Sequence, residues 1–152
     1  MDKINPKHVA WLLPAAYLIH ISEEYLSGAG FPVWFSGVFK TDLSNIDFII
    51  INSIGFAGTI ISVILYNINK LNNFVIGVLG SLFFVNGIIH FLATLFTASY
   101  SPGTLSGVLL YLPLGYLIFK KIFPLIPQEQ RALSFMAGVI IQVIVALAAM
   151  NI

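Results

Sequence analysis

Hydrophobic residues fall into five long runs, at about 9–27, 46–67, 73–97, 103–123 and 131–151, with short clusters of polar, charged, Pro and Gly residues between them. Each run is close to the ~20 residues that a helix needs to cross ~30 Å of hydrocarbon. An isolated strand cannot satisfy its backbone in lipid, so the runs are read as helices. The separators are breaker-like: Gly28, Gly30 and Pro32 after the first run, Asn69, Asn72 and Asn73 after the second, Ser101-Pro102-Gly103 after the third, and Pro124 with Pro127 after the fourth. The pattern predicts an all-α integral membrane bundle of five transmembrane helices. It forms a single domain over residues 1–152 without an internal repeat or a low-complexity tract.

The first run has an unbroken apolar core, Val9 to Ile19, only as long as that of a signal peptide, and it follows Lys3 and Lys7. A signal core does not normally continue into His20, Glu23 and Glu24, and Ser27-Gly28-Ala29-Gly30 reads as a turn rather than a cleavage site. The segment is therefore expected to remain as the first span.

Composition strengthens the membrane reading, since 59% of residues are hydrophobic and 9% are charged, more apolar surface than a soluble domain of 152 residues can hide. A net charge of +1 gives no basic surface for nucleic acid. The absence of Cys excludes disulfides, thiolate metal sites and cysteine nucleophiles. Charge position matters more than charge total. Lys3, Lys7, Lys70, Lys120, Lys121 and Arg131 fall on one side of a five-span threading and only Lys40 on the other. By the positive-inside rule this predicts a multi-pass protein of the cell membrane, with the amino terminus cytoplasmic and the carboxyl terminus outside.

Polar residues inside the runs carry the candidate chemistry. His20-Ile21-Ser22-Glu23-Glu24 lies within the first run. At about 100° per residue, Glu23 and Glu24 flank His20 within one arc of about 100°, and Tyr17 and Ser27 extend that face. A second string, Asn86 to His90, places two polar side chains at i and i+4 of the third run, continued by Thr94 and Thr97. At 1.5 Å per residue from the cytoplasmic ends, the strings lie at roughly 17–23 Å and 20–26 Å, level with each other in the outer half of the bilayer. Asn52 of the second run reaches nearly the same layer, and Gln142 of the fifth lies a few ångströms nearer the cytoplasm. Asn52, Gln142, Thr94 and Thr97 are read as interhelical hydrogen-bonding residues. Phe31-Pro32-Val33-Trp34-Phe35 is read as an interfacial aromatic anchor placed to cap the site. The pairs Gly77/Ser81 and Gly103/Gly107 are read as points of close helix contact.

An acidic side chain at membrane depth costs about 2.5–3.5 kcal/mol on insertion scales. No Lys or Arg lies in any span core to offset it. Three arrangements resolve this: protonated glutamates, pairing with protonated His20 and His90, or a divalent cation among them. Two neutral imidazoles, two carboxylates and one divalent ion carry no net charge. Nitrogen and oxygen donors without sulfur suit zinc, iron or manganese rather than copper(I).

On these residues the chain resembles the HXXEE-domain proteins, small bacterial and archaeal membrane proteins of unknown function. The likeness rests on His20, Glu23 and Glu24, on Phe31-Pro32-x-Trp34 and on Asn86-x-x-x-His90, and with the spacing of the spans it covers most of the chain. It implies that these positions matter and supplies no reaction.

The leading expectation is an intramembrane enzyme acting on a lipid or other apolar substrate, with the bilayer as its surroundings. His20, Glu24 and His90 would ligate one divalent metal ion, Glu23 would be a fourth ligand or general base, and Asn86 would orient a ligand or polarise the substrate. Without a metal the same residues would perform acid/base chemistry. The alternatives are an ion or metal transporter and a structural or accessory membrane subunit.

Overall fold

A computed structural model describes residues 5–151, and among them the regular structure is entirely helical. Helix α1 (Pro6–Leu26) starts where Asn5 accepts a hydrogen bond from the Lys7 amide and Pro6 supplies a preset backbone. A short helix α2 (Phe31–Phe39) follows Gly30, whose φ of 84° makes the sharp turn. Ser44 caps α3 (Asn45–Asn67) by accepting from the Asp47 amide, and Asn72 caps α4 (Asn73–Thr97) by accepting from Phe74. Helix α5 (Thr104–Leu125) contains a π-helical stretch, Gly107–Tyr111, and ends in a 3-10 turn, Phe123–Leu125. The last helix, α6, is Gln128–Met150.

The surface of the bundle is far more apolar than that of a soluble protein. Its exposed side chains include Ile46, Ile50, Ile54, Phe96, Leu109, Ile140 and Ile144, whereas His20, Glu24, Ser81, His90, Ser101, Ser106, Ser134 and Gln142 are buried. An apolar exterior over an interior that mixes apolar side chains such as Leu13, Val63, Ile76 and Ile118 with paired polar groups suits a lipid surrounding. Among the described residues four helices, α3, α4, α5 and α6, are long and apolar enough to cross a membrane. The expected fifth, α1, is not among them. It is 21 residues long, but His20, Glu23 and Glu24 near its end lower its apolar character.

Helix α4 occupies the centre, packed along α6 and α5. Small residues allow this approach: a Cβ on Gly138 of α6 would lie 2.6 Å from the Val78 carbonyl oxygen, and one on Gly87 would lie 2.8 Å from the Gly107 oxygen. Gly77 abuts Ser134 and Gly107 abuts Gly87, so one glycine of each expected small-residue pair packs against a small residue of a neighbouring helix. Gly103 does not, and its neighbours are described below.

The two ends of the bundle differ. At one, the Lys7 ammonium donates to the Asn67 carbonyl (2.8 Å) and Asn69 (2.9 Å), and the Arg131 guanidinium donates to the carbonyls of Ile126 and Pro124. At the other lie the α1–α2 turn, α2 and the α4–α5 turn, joined where the Trp34 indole donates to the Ser99 hydroxyl at 3.0 Å. The aromatic stretch expected as a loop anchor is thus a helix. Pro32 occupies its first turn, and Phe35 packs with Leu43 and Ala149.

Candidate metal centre

The three residues proposed as metal ligands reach one point from two helices. His20 and Glu24 are one turn apart on α1, and His90 comes from the facing side of α4. Glu24 Oε1 stands 3.3 Å from His90 Nε2 and 3.7 Å from His20 Nε2. One ligand atom from each residue lies within 4.8 Å of the others, so the group can hold a metal ion. All three side chains are buried, at 2%, 6% and 4% exposure for His20, Glu24 and His90.

The far nitrogens of both rings are held by serines. His20 Nδ1 meets Ser106 Oγ at 2.8 Å, and His90 Nδ1 meets Ser101 Oγ at 3.1 Å. The Ser106 hydroxyl donates to the Gly103 carbonyl (3.4 Å), leaving its oxygen to accept from His20 Nδ1–H. In that tautomer His20 Nε2 presents a lone pair, and it has no hydrogen-bond partner. This is how ligating histidines are usually oriented: the outer nitrogen hydrogen-bonded, the inner one free. A carboxylate oxygen and an imidazole lone pair facing each other away from solvent require a cation between them, whether a proton or a metal.

Gly103 closes the cluster from above. Its φ is 97°, and a Cβ there would lie 2.9 Å from Cε1 of both histidines and 3.0 Å from Glu24 Cγ. Tyr111 closes another side, its ring 4.2 Å from that of His20 and 4.4 Å from Phe83. The π-helical turn that carries Tyr111 precedes Pro113, which has no amide hydrogen to give to the Leu109 carbonyl.

Glu23 is placed elsewhere. Its Oε1 accepts from the amides of Gly103 (3.1 Å) and Leu105 (2.9 Å) and from the Tyr100 hydroxyl, and its Oε2 accepts from the Ser106 amide at 2.6 Å. These are the unpaired donors at the start of α5, so Glu23 acts as that helix's anionic cap from another helix. Both its oxygens are engaged, and the structure does not bring it together with His20, Glu24 and His90. Desolvation, reinforced by the bond to Glu23, holds the Tyr100 hydroxyl above its ordinary pKa.

Asn86 lies one turn below His90 with its amide nitrogen 3.5 Å from Gln142 Oε1, while its own carbonyl oxygen is buried without a partner. Asn52 accepts from the Tyr17 hydroxyl at 3.3 Å, and Thr94 bonds Thr104 at 2.7 Å. Thr97 donates to the Ala93 carbonyl of its own helix, a local rather than an interhelical bond. The cluster and Asn86 open into a cavity of about 680 Å³. Tyr17, Phe31, Trp34 and Phe83 line it near the cluster, and Phe31 lies 5.4 Å from His90, as the expected cap would.

Ser101, Ser106, Gly103 and Tyr111 were not singled out by sequence as parts of the site. A serine in a turn or at a helix start gives no signal of its own. Their positions near two polar strings acquire meaning only once α5 is docked between α1 and α4.

A family described as "Protein of unknown function with HXXEE motif" matches residues 11–118, from α1 to within α5. No curated protein and no solved structure matches this chain.

Proposed function

The chain belongs to the HXXEE family, and on that premise we propose that its name-giving motif serves an intramembrane metalloenzyme, with His20, Glu24 and His90 holding one zinc, iron or manganese ion and acting on a lipid or apolar substrate. The observation that carries this reading is the convergence of two serine-oriented imidazoles on one buried carboxylate that, among the described residues, makes no salt bridge to Lys or Arg. Three protein ligands of the His₂Glu type leave a coordination position for water or substrate, the arrangement of catalytic rather than structural sites. Asn86, with a free carbonyl oxygen at the cavity wall, is suited to accept a hydrogen bond from substrate or from a metal-bound water. When bound, the ion supplies Lewis acidity and lowers the pKa of its water.

The reading includes a five-span topology with α1 as the first span. The exposed side chains of α1 include Trp11, Leu12, Leu18, Ile19 and Leu26, a lipid-compatible face, and 21 residues rise about 31 Å. The positive-inside distribution supports an amino terminus in the cytoplasm and a metal centre near the outer face.

Elemental analysis of purified protein tests the centre. Stoichiometric transition metal is expected in the wild type and its loss in both His20→Ala and His90→Ala. A wild type free of metal after purification and reconstitution with zinc, iron(II) and manganese would sink the metal reading and favour acid/base chemistry by the same residues.

A further inference from the structure

The cavity below the cluster has a direction. From His90 it follows α4 through Asn86, Phe83 and Leu82 to Leu79, eleven residues or about 16 Å along the helix. Gly55, Gly58, Thr59 and Ser62 of α3 form the opposite wall. The cluster lies at the α2 end of the bundle, so the cavity runs from near one membrane face toward the middle of the bilayer. That is the orientation of a lipid in the leaflet on that side, with its head at the surface and its chain inward. Helices α3 and α6 both line the cavity and touch each other only lightly, leaving a lateral way in from lipid.

The head end is polar and incomplete. His20 Nε2, in a side chain 98% buried by its 2% exposure, has no partner and lines the cavity. With Glu23 committed to the α5 cap, two neutral imidazoles, one carboxylate and a divalent ion carry one net positive charge rather than none. An anionic oxygen in the open position restores neutrality, which a low-dielectric setting strongly favours.

Resting on the metal reading above, we infer that the site binds a long-chain fatty acid, carboxylate at the His20/Glu24/His90 centre and alkyl chain along the α3–α4 trough. The cavity volume of about 680 Å³ falls within the ~300–1,000 Å³ of small-molecule sites. Specificity for chain over head follows from the wall: beyond Asn86 the trough is formed by Phe83, Leu82 and Leu79 on one side and by small residues on the other.

Gly58 provides the test, because it lines the trough and a Cβ there meets nothing within 4 Å, so a side chain can be added without a clash at its first atom. Binding of radiolabelled palmitate to purified protein is measured together with metal content for wild type, Gly58→Phe, Ala146→Phe and His90→Ala. Saturable binding is expected in metal-loaded wild type. Excluding even two methylenes costs about tenfold in affinity, so both trough variants should lose at least about tenfold while retaining metal and monodispersity. His90→Ala should lose metal and palmitate together. Equal palmitate binding by wild type and both trough variants would overturn the inference, as would metal-loaded wild type that binds none. A two-chain phospholipid retained through purification, lost in Gly58→Phe and accompanied by no palmitate binding would also overturn it. If palmitate binds and is lost on filling the trough in protein that never takes up metal, the chain site stands and the metal reading falls.

Discussion

Glu23 and Glu24 are adjacent in sequence, and their different surroundings assign them different work. A rotation of about 100° between neighbouring residues turns Glu24 toward α4 and Glu23 toward the start of α5. Glu23→Ala strands the amides of Gly103, Leu105 and Ser106. The Gly103 and Ser106 amides are part-buried, and at about 1–3 kcal/mol for a donor left unsatisfied away from water the expected result is a lower melting temperature with metal still bound at saturating concentration. Glu24→Gln keeps size and shape but removes the anionic ligand, so metal content should fall while the melting temperature of the metal-free protein stays close to that of metal-free wild type. Thermal unfolding and elemental analysis on the same two variants separate the roles, and the opposite pairing of losses would reverse them. From sequence both acids fell within one arc with His20. What could not be read was where the unpaired amides of α5 would lie, since that depends on how a turn some eighty residues away docks.

The α4–α5 turn and the first turns of α5 form the element that converts three ligands into a site. Ser101 and Ser106 bracket it and orient one imidazole each, and Gly103 fits between the rings. Gly103→Ala meets two penalties. A side chain at φ 97° is strained by an amount on the order of 1–2 kcal/mol, and its Cβ would stand 2.9 Å from both imidazoles. The rings must separate, so metal affinity is expected to drop at least about tenfold, while circular dichroism reports unchanged helicity. Retained metal affinity in Gly103→Ala would mean that the rings move without consequence. The long helices themselves were legible, because runs of apolar residues report membrane length directly: α3 and α4 begin and end within a few residues of the expected 46–67 and 73–97. Two features were not. Helix α2 is nine residues of apolar sequence next to Gly30 and Pro32, and these read as breakers although Pro32 sits in its first turn. The π-helical turn leaves no periodic trace over five residues, although Pro113 marks where the regular ladder fails.

At the scale of the molecule, the five-span proposal is tested at α1, beside the four helices long and apolar enough to cross a membrane. Its own sequence argues weakly, because the residues that build the site make it the least apolar long helix. Its neighbours argue strongly. Lys7 at its start is hydrogen-bonded to Asn67 and Asn69 at the end of α3, and Glu23 near its end reaches the start of α5. An α1 that packs beside α3, its start hydrogen-bonded to the end of α3, is expected under the five-span proposal to traverse the same thickness. His8, Lys70 and Glu129 then share one face, and Asp42 lies on the other. The natural chain contains no Cys, so single substitutions can be placed without background. His8→Cys, Lys70→Cys and Glu129→Cys should react with a membrane-impermeant maleimide only after cells are permeabilised, whereas Asp42→Cys should react in intact cells. His8→Cys and Asp42→Cys labelling from the same side would remove α1 from the spans. It would also detach His20 and Glu24 from the depth at which His90 is fixed by α4, so the topology and the metal centre depend on the same geometry.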